Sequence, residues 1–142
     1  MINSYYEAYP GVRRYLDDTV EEARRTGYAT TMYGRRRPTP EINSGNGPRK
    51  AFAERTAMNH PMQGSAADII KLAMVAVQRE LAERQMRTRL IMQIHDELDF
   101  SVPKEELEVL SELVKRTMEG VVELRVPLVA DVSFGPSWAQ AK

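Results

Sequence analysis

Three consecutive polar residues, His95, Asp96 and Glu97, separate two short apolar runs, and they are the part of this chain best equipped for chemistry. An imidazole can hold or relay a proton. A carboxylate can hold a hard divalent cation such as magnesium, which takes oxygen ligands and keeps several waters. One carboxylate rarely suffices, because two-metal phosphoryl-transfer sites draw acids from more than one segment to hold ions about 3.5–4 Å apart. Asp96 is the best-placed ligand, with Glu97 and Asp99 close by in sequence. Asp and Glu are also ordinary turn residues. On these residues alone, a solvated turn and a cation site both stand.

The elements that must position this triplet can be read from the alternation around it. Leu90, Met92 and Ile94 alternate with Ile91 and Gln93, and Leu98, Phe100 and Val102 alternate with Asp99 and Ser101. Period two over such runs predicts two strands with a buried face, joined as a tight hairpin. A relaxed two-residue turn would prefer Asn-Gly or Asp-Gly at its tip. Polar residues that break a local rule between apolar strands are a mark of functional positions. In strand geometry Glu97 should point to the opposite side from Asp96.

A second set of polar groups lies upstream. Arg55, Asn59 and Gln63 stand four residues apart, the spacing that puts side chains on one side of a helix. All three can donate hydrogen bonds. They read either as a solvated face or as a row of donors. The helical region runs from Arg49 to Met86, and Pro61 falls inside it. Proline removes one helical hydrogen bond and clashes one turn back, so one helix should end near Asn59 and another begin at Pro61. Met62, Ala66, Ile69, Ala73, Val77 and Leu81 would form the buried stripe of the second.

Upstream, residues 1–9 are polar and tyrosine-rich. Val12, Tyr15, Leu16, Thr19, Val20 and Ala23 then make one helix face, with Pro10 before it and Gly27 after it. Tyr28–Tyr33 is a strand candidate, and Gly34 turns the chain into Arg35-Arg36-Arg37. From Pro38 to Pro48 the prolines, glycines and asparagines make a loop, the one plausible internal boundary. Downstream, Pro103 opens a helix with Glu105 and Glu106 in its first turn, a stripe of Leu107, Leu110, Val114 and Met118, and Gly120 at its end. Val126, Leu128, Ala130, Val132 and Phe134 alternate as a last strand. Helix, hairpin, helix and strand in that order predict an α+β fold, an antiparallel sheet with helices on one face.

The 142 residues are enough for a domain with a real core. Lys+Arg and Asp+Glu both number 20, so net charge names no partner. The distribution is more telling. Arg35, Arg36, Arg37, Arg49, Lys50 and Arg55 face only Glu41 and Glu54 within residues 35–55, whereas residues 96–123 are mainly acidic. The first region suits an anion. With no cysteine, disulfides and thiolate metal sites are excluded. Two histidines are too few for a multi-histidine phosphohydrolase, and no serine sits in a nucleophile-elbow context. No apolar run approaches a membrane span and no signal-peptide pattern opens the chain, so a cytoplasmic location and no membrane partner are expected.

Gln93-Ile94-His95-Asp96-Glu97-Leu98 resembles the third catalytic motif of family A DNA polymerases of the bacterial type. Tyr9-Pro10-Gly11-Val12, Gly27-Tyr28, Gly34-Arg35-Arg36, Ala53-Glu54-Arg55 and the run from Asn59 to Lys71 resemble that family in order and spacing. So do Val126-Pro127-Leu128 and the ending from Gly135 to Trp138. The resemblance implies the C-terminal part of a right-hand polymerase fold, its antiparallel palm sheet carrying the catalytic hairpin and packed by helices. Residues 1–48 would be the end of the fingers and 49–142 the C-terminal half of the palm. Asp96 would be a catalytic, metal-binding carboxylate, Glu97 its supporting neighbour, and His95 would sit beside the primer terminus. Arg55, Asn59 and Gln63 would face the minor groove of the new duplex, with Arg35, Arg36, Arg49 and Lys50 contacting phosphates.

The partners so implied are primer-template DNA, deoxynucleoside triphosphates, two Mg2+ ions in the complete enzyme, and the N-terminal remainder of the polymerase. The family's first catalytic aspartate motif and its nucleotide-gripping helix do not occur in this sequence, which implies inactivity in isolation. The alternative is a non-catalytic nucleic-acid-binding remnant or a subunit of a split polymerase.

Overall fold

A computed structural model describes residues 2–141, with side chains from Ser4 onward. Helix α1 (Ile2–Ala8) is followed by α2 (Pro10–Thr26), strands β1 (Tyr28–Thr30) and β2 (Arg36–Pro38), and a long helix α3 (Gly47–Glu83). Strands β3 (Arg89–Ile94) and β4 (Glu97–Ser101) come next, then a 3-10 turn (Lys104–Glu106) leading into α4 (Leu107–Glu119). The chain divides into two compact units, residues up to Ala66 and residues from Ala67, with α3 running through the division.

In the first unit, α2 starts with proline at its first position, where no N–H is missed. It ends at Gly27, whose φ of 80° is left-handed and whose N–H donates to the Ala23 carbonyl. The core gathers Val20 and Ala23 of α2, Ala29 of β1, Ile42 of the loop, and Ala53 and Ala57 of α3, with Met58 against them. Only the second half of the expected α2 face is covered, and Val12 and Tyr15 stand exposed. Arg24 reinforces the packing by donating to Glu54 of α3 at 2.5 Å. Burial of Val20 and Ile42 is worth about 1.5–3 kcal/mol each, and each alanine methyl roughly 0.8 kcal/mol.

Strands β1 and β2 pair antiparallel, Ala29 opposite Arg37. Arg36 and Arg37, beyond the Gly34 turn, lie in strand β2; Thr31 and Arg35 close the ladder, and Met32, Tyr33 and Gly34 make the turn. Gly34 takes φ 79°, the left-handed conformation that ends such three-residue loops.

Pro61 does not break α3. Its cost is one absent N–H and a steric push on the preceding turn, and α3 nevertheless continues unbroken from Gly47 to Glu83. On the first half of α3 the inward positions are Ala53, Ala57, His60, Gly64 and Ser65; on the second half they are Ile70, Ala73, Val77 and Leu81. The stripe expected through Met62 and Ala66 is thus corrected: both are exposed, because the N-terminal half of the helix turns a different set of residues inward.

In the second unit, β3 and β4 form the expected hairpin. Leu90 lies opposite Phe100 and Met92 opposite Asp99, so Ile91 is an extra residue that bulges β3. Val77 and Leu81 of α3 pack with Leu110, Leu113 and Val114 of α4, and Phe100 and Val102 close over them. The strand expected from Val126 to Phe134 is absent. Alternation supplies a face but not a ladder partner, and among the described residues no strand pairs with this segment; Val126, Val129, Val132 and Phe134 stay exposed. Among the described residues no helix is long and apolar enough to cross a membrane.

Candidate nucleic-acid and metal-binding surfaces

Ile94 pairs with Glu97, which leaves His95 and Asp96 as a two-residue turn and makes Glu97 the first residue of β4. His95 holds φ 53°. Two-residue hairpins need positive φ at the first turn position to match strand twist, and glycine or asparagine ordinarily supplies it. A histidine there is held against a steric preference of about 1–2 kcal/mol. Gln93 on β3 braces the turn, its side-chain amide donating to the His95 carbonyl at 2.5 Å. All three tip residues are exposed, while Leu98 and Phe100 on β4 are half-buried below them. The apolar part of the hairpin anchors it and the polar part is presented.

The base of β3 is fixed by a carboxylate. Glu106 accepts from the backbone N–H groups of Arg87 and Thr88, both at 2.9 Å, and from the Thr88 hydroxyl at 2.7 Å. Those bonds hold its carboxyl below the usual range, the Arg87 backbone N–H contributing most. Glu105 is lowered too, first by a backbone N–H bond and then by the Arg87 guanidinium.

Asp96 and Glu97 offer the hard oxygen donors that magnesium prefers. Among the described residues no three His, Cys, Asp or Glu side chains cluster closely enough to hold an ion. The donor type fits the cation, but the number falls short of a complete site.

In the other unit, unbroken α3 carries Arg55, Asn59 and Gln63, and the spacing of four leaves all three exposed on one side. The basic residues of this unit are engaged unequally. Arg35 donates from its guanidinium to the Gly64 carbonyl at 2.8 Å. Arg36 lies over the Tyr28 ring at 5.9 Å. Arg49 pairs with Glu41 at 3.6 Å, and Lys50 is half-buried near the start of α3. Sequence reasoning gave no role to Gly64 and Ser65, the docking point for the β1–β2 turn. Their only signal is a small-residue pair inside a long helix.

An α+β chain with a carboxylate-tipped hairpin and a donor row on a long helix matches the family model for DNA polymerase family A over residues 1–140. The chain belongs to that family. It is 52% identical over 141 residues to DNA polymerase I of Bacillus subtilis and 51% identical to DNA polymerase I of Geobacillus stearothermophilus. In both cases the match covers 99% of this chain and 16% of the relative. Among solved structures it is similar to the POL domain of Pol1 from M. smegmatis in complex with DNA primer-template and dNTP. The TM-score is 0.94 at 44% identity, over 99% of this chain and 25% of that one.

Proposed function

We propose that the chain is the end-of-fingers and palm portion (residues 1–48 and 49–142) of a DNA polymerase, and serves template-directed nucleotidyl transfer to a primer 3′-hydroxyl. The observation that carries this reading is the hairpin, in which a histidine is held at φ 53° so that an aspartate stands exposed at the tip. Strain retained at an exposed polar turn is expected where the turn has work to do. Family membership over the whole chain supports the same reading.

In this reading Asp96 is a metal-binding carboxylate, Glu97 supports it, and His95 lies beside the primer terminus. Bound magnesium supplies stabilisation of charge on the transferring phosphoryl group. The chain's own contribution is to hold the Asp96 carboxylate on a braced turn, so that no reorganisation is needed when charge develops. Arg55, Asn59 and Gln63 donate to minor-groove acceptors. A·T and T·A present equivalent acceptors there and G·C presents acceptors in similar places, so donors can test pair geometry without reading sequence. Arg36, Arg49 and Lys50 contact phosphates, which position DNA without specifying it. Deoxynucleoside triphosphate and primer-template DNA are the substrates, and the polymerase segments missing from these 142 residues are the partner.

The test is primer extension with magnesium and all four nucleotides. The chain alone should give no templated product, since it offers one carboxylate hairpin where two ions need several acids. Supplying the remaining polymerase segments, joined or in trans, should restore synthesis. Failure to restore it would favour a non-catalytic DNA-binding role.

A further inference from the structure

The turn between β1 and β2 is fastened to α3 at the point where that helix is intrinsically weakest. Pro61 has no N–H to give the carbonyl of Ala57, so the rung of the helical ladder between Ala57 and Pro61 is missing, in the turn just before Gln63. Immediately beyond Gln63, two contacts come in from the turn, and a third bond within α3 continues one of them. The Arg35 guanidinium donates to the Gly64 carbonyl at 2.8 Å. The Met32 N–H donates to the Ser65 hydroxyl at 3.0 Å, and that hydroxyl in turn donates to the Pro61 carbonyl. Gly64 itself has no room for a side chain, because an added methyl would stand 2.7 Å from the Thr31 methyl and 2.8 Å from the His60 ring.

The turn is shaped for this contact. Thr31 accepts from the N–H groups of Tyr33 and Arg35 through its hydroxyl, at 3.3 and 3.2 Å, which curls the backbone around it. Its methyl is left facing Gly64. A helix with a missing rung is therefore splinted from outside, one residue past a proposed minor-groove donor.

We propose that Arg35 and Ser65 are positioning residues for Gln63, splinting α3 across Pro61, and that Arg35 acts through this clasp instead of through a DNA phosphate. The inference rests on the minor-groove reading of Gln63. A residue that orients a neutral donor and one that neutralises a phosphate differ in salt dependence. Loss of a phosphate contact lowers the slope of log affinity against log salt by about one and weakens all sequences alike. Loss of a splint leaves the slope unchanged.

The experiment uses the assembled polymerase with two primers, one natural and one whose terminal base lacks the minor-groove ring nitrogen. Extension rates and the salt slope of primer-template binding are measured for wild type, Gln63→Ala, Arg35→Gln, Arg35→Lys and Ser65→Ala. A splint predicts that Arg35→Gln and Ser65→Ala slow the natural primer roughly tenfold, within the range of one lost hydrogen bond. The modified primer should be affected little and the salt slope should stay at the wild-type value. Arg35→Lys keeps charge and one donor and should recover part of the rate. Equal penalties on both primers from Arg35→Gln, with a slope reduced by about one, would overturn the splint and make Arg35 a phosphate contact. Equal penalties from Gln63→Ala itself would instead remove the minor-groove reading on which the inference depends. Should Arg35→Gln fail to fold, amide exchange in Ser65→Ala decides: faster exchange at Met32 and at residues 62–66 supports the splint, and unchanged exchange overturns it.

Discussion

Thr88 binds Glu106 twice, donating its backbone N–H at 2.9 Å and its hydroxyl at 2.7 Å to the same carboxylate oxygen. The contact joins the residue just before β3 to the turn that opens α4, and so sets the base of the hairpin that ends in Asp96. Because the bonds favour the ionised form, the Glu106 carboxyl is depressed when folded. A depressed acid contributes its full stability above its unfolded pKa and loses it as pH falls through the folded value. Wild type should therefore unfold at a higher temperature than Glu106→Gln at neutral pH, and the gap should close in acid below the usual carboxylate range. Thermal melts of both proteins between pH 7 and pH 3 check this. A gap independent of pH would mean that packing, and not charge, makes the contact.

The core between α3 and α4 is the chief anchor of the same hairpin. Leu110 is 4% exposed and packs with Val77 and Leu81. Leu110→Ala should cost about 2–5 kcal/mol, the usual range for a buried leucine truncated without collapse of the cavity. Urea unfolding measures it, and a loss under 1 kcal/mol would mean that this cluster is loosely packed.

Gly64→Ala tests the close approach of the β1–β2 turn to α3. The added methyl meets Thr31 and His60 inside ordinary contact distance, and overpacking of this kind costs about 1–3 kcal/mol. Thr31→Ser removes one of the two obstacles. The double variant should be more stable than Gly64→Ala alone, though below wild type because His60 remains. A fully additive loss would show that the two sites do not touch.

Much of this was legible in the sequence, and the failures have physical causes. The hairpin and α2 with its Pro10 and Gly27 limits rest on local signals and appear where those signals put them, while α4 ends at Gly120 as expected but begins at Leu107, with Glu105 and Glu106 in the 3-10 turn ahead of it. Pro61 misled because proline's penalty is local and weighs against a single turn, whereas α3 runs unbroken through it from Gly47 to Glu83. The Val126–Phe134 segment misled for the converse reason: alternation predicts a face, and a strand exists only with a partner. His95 was recognisable as an odd turn residue, but its positive φ and the Gln93 brace were not, since neither has a sequence signature. The small pair Gly64-Ser65 was read as ordinary helix, its meaning depending wholly on what packs against it.

The most direct measurement compares Asp96→Asn with Glu97→Gln in the assembled polymerase, following single-turnover primer extension and primer-template affinity together. Asparagine keeps the size of the side chain and removes the charge, and electrostatic stabilisation at such a centre is worth several kcal/mol in the transition state. The account predicts that Asp96→Asn abolishes synthesis while affinity for the duplex persists, and that Glu97→Gln is milder. Equal losses from the two substitutions, or a greater loss from Glu97→Gln, would contradict it.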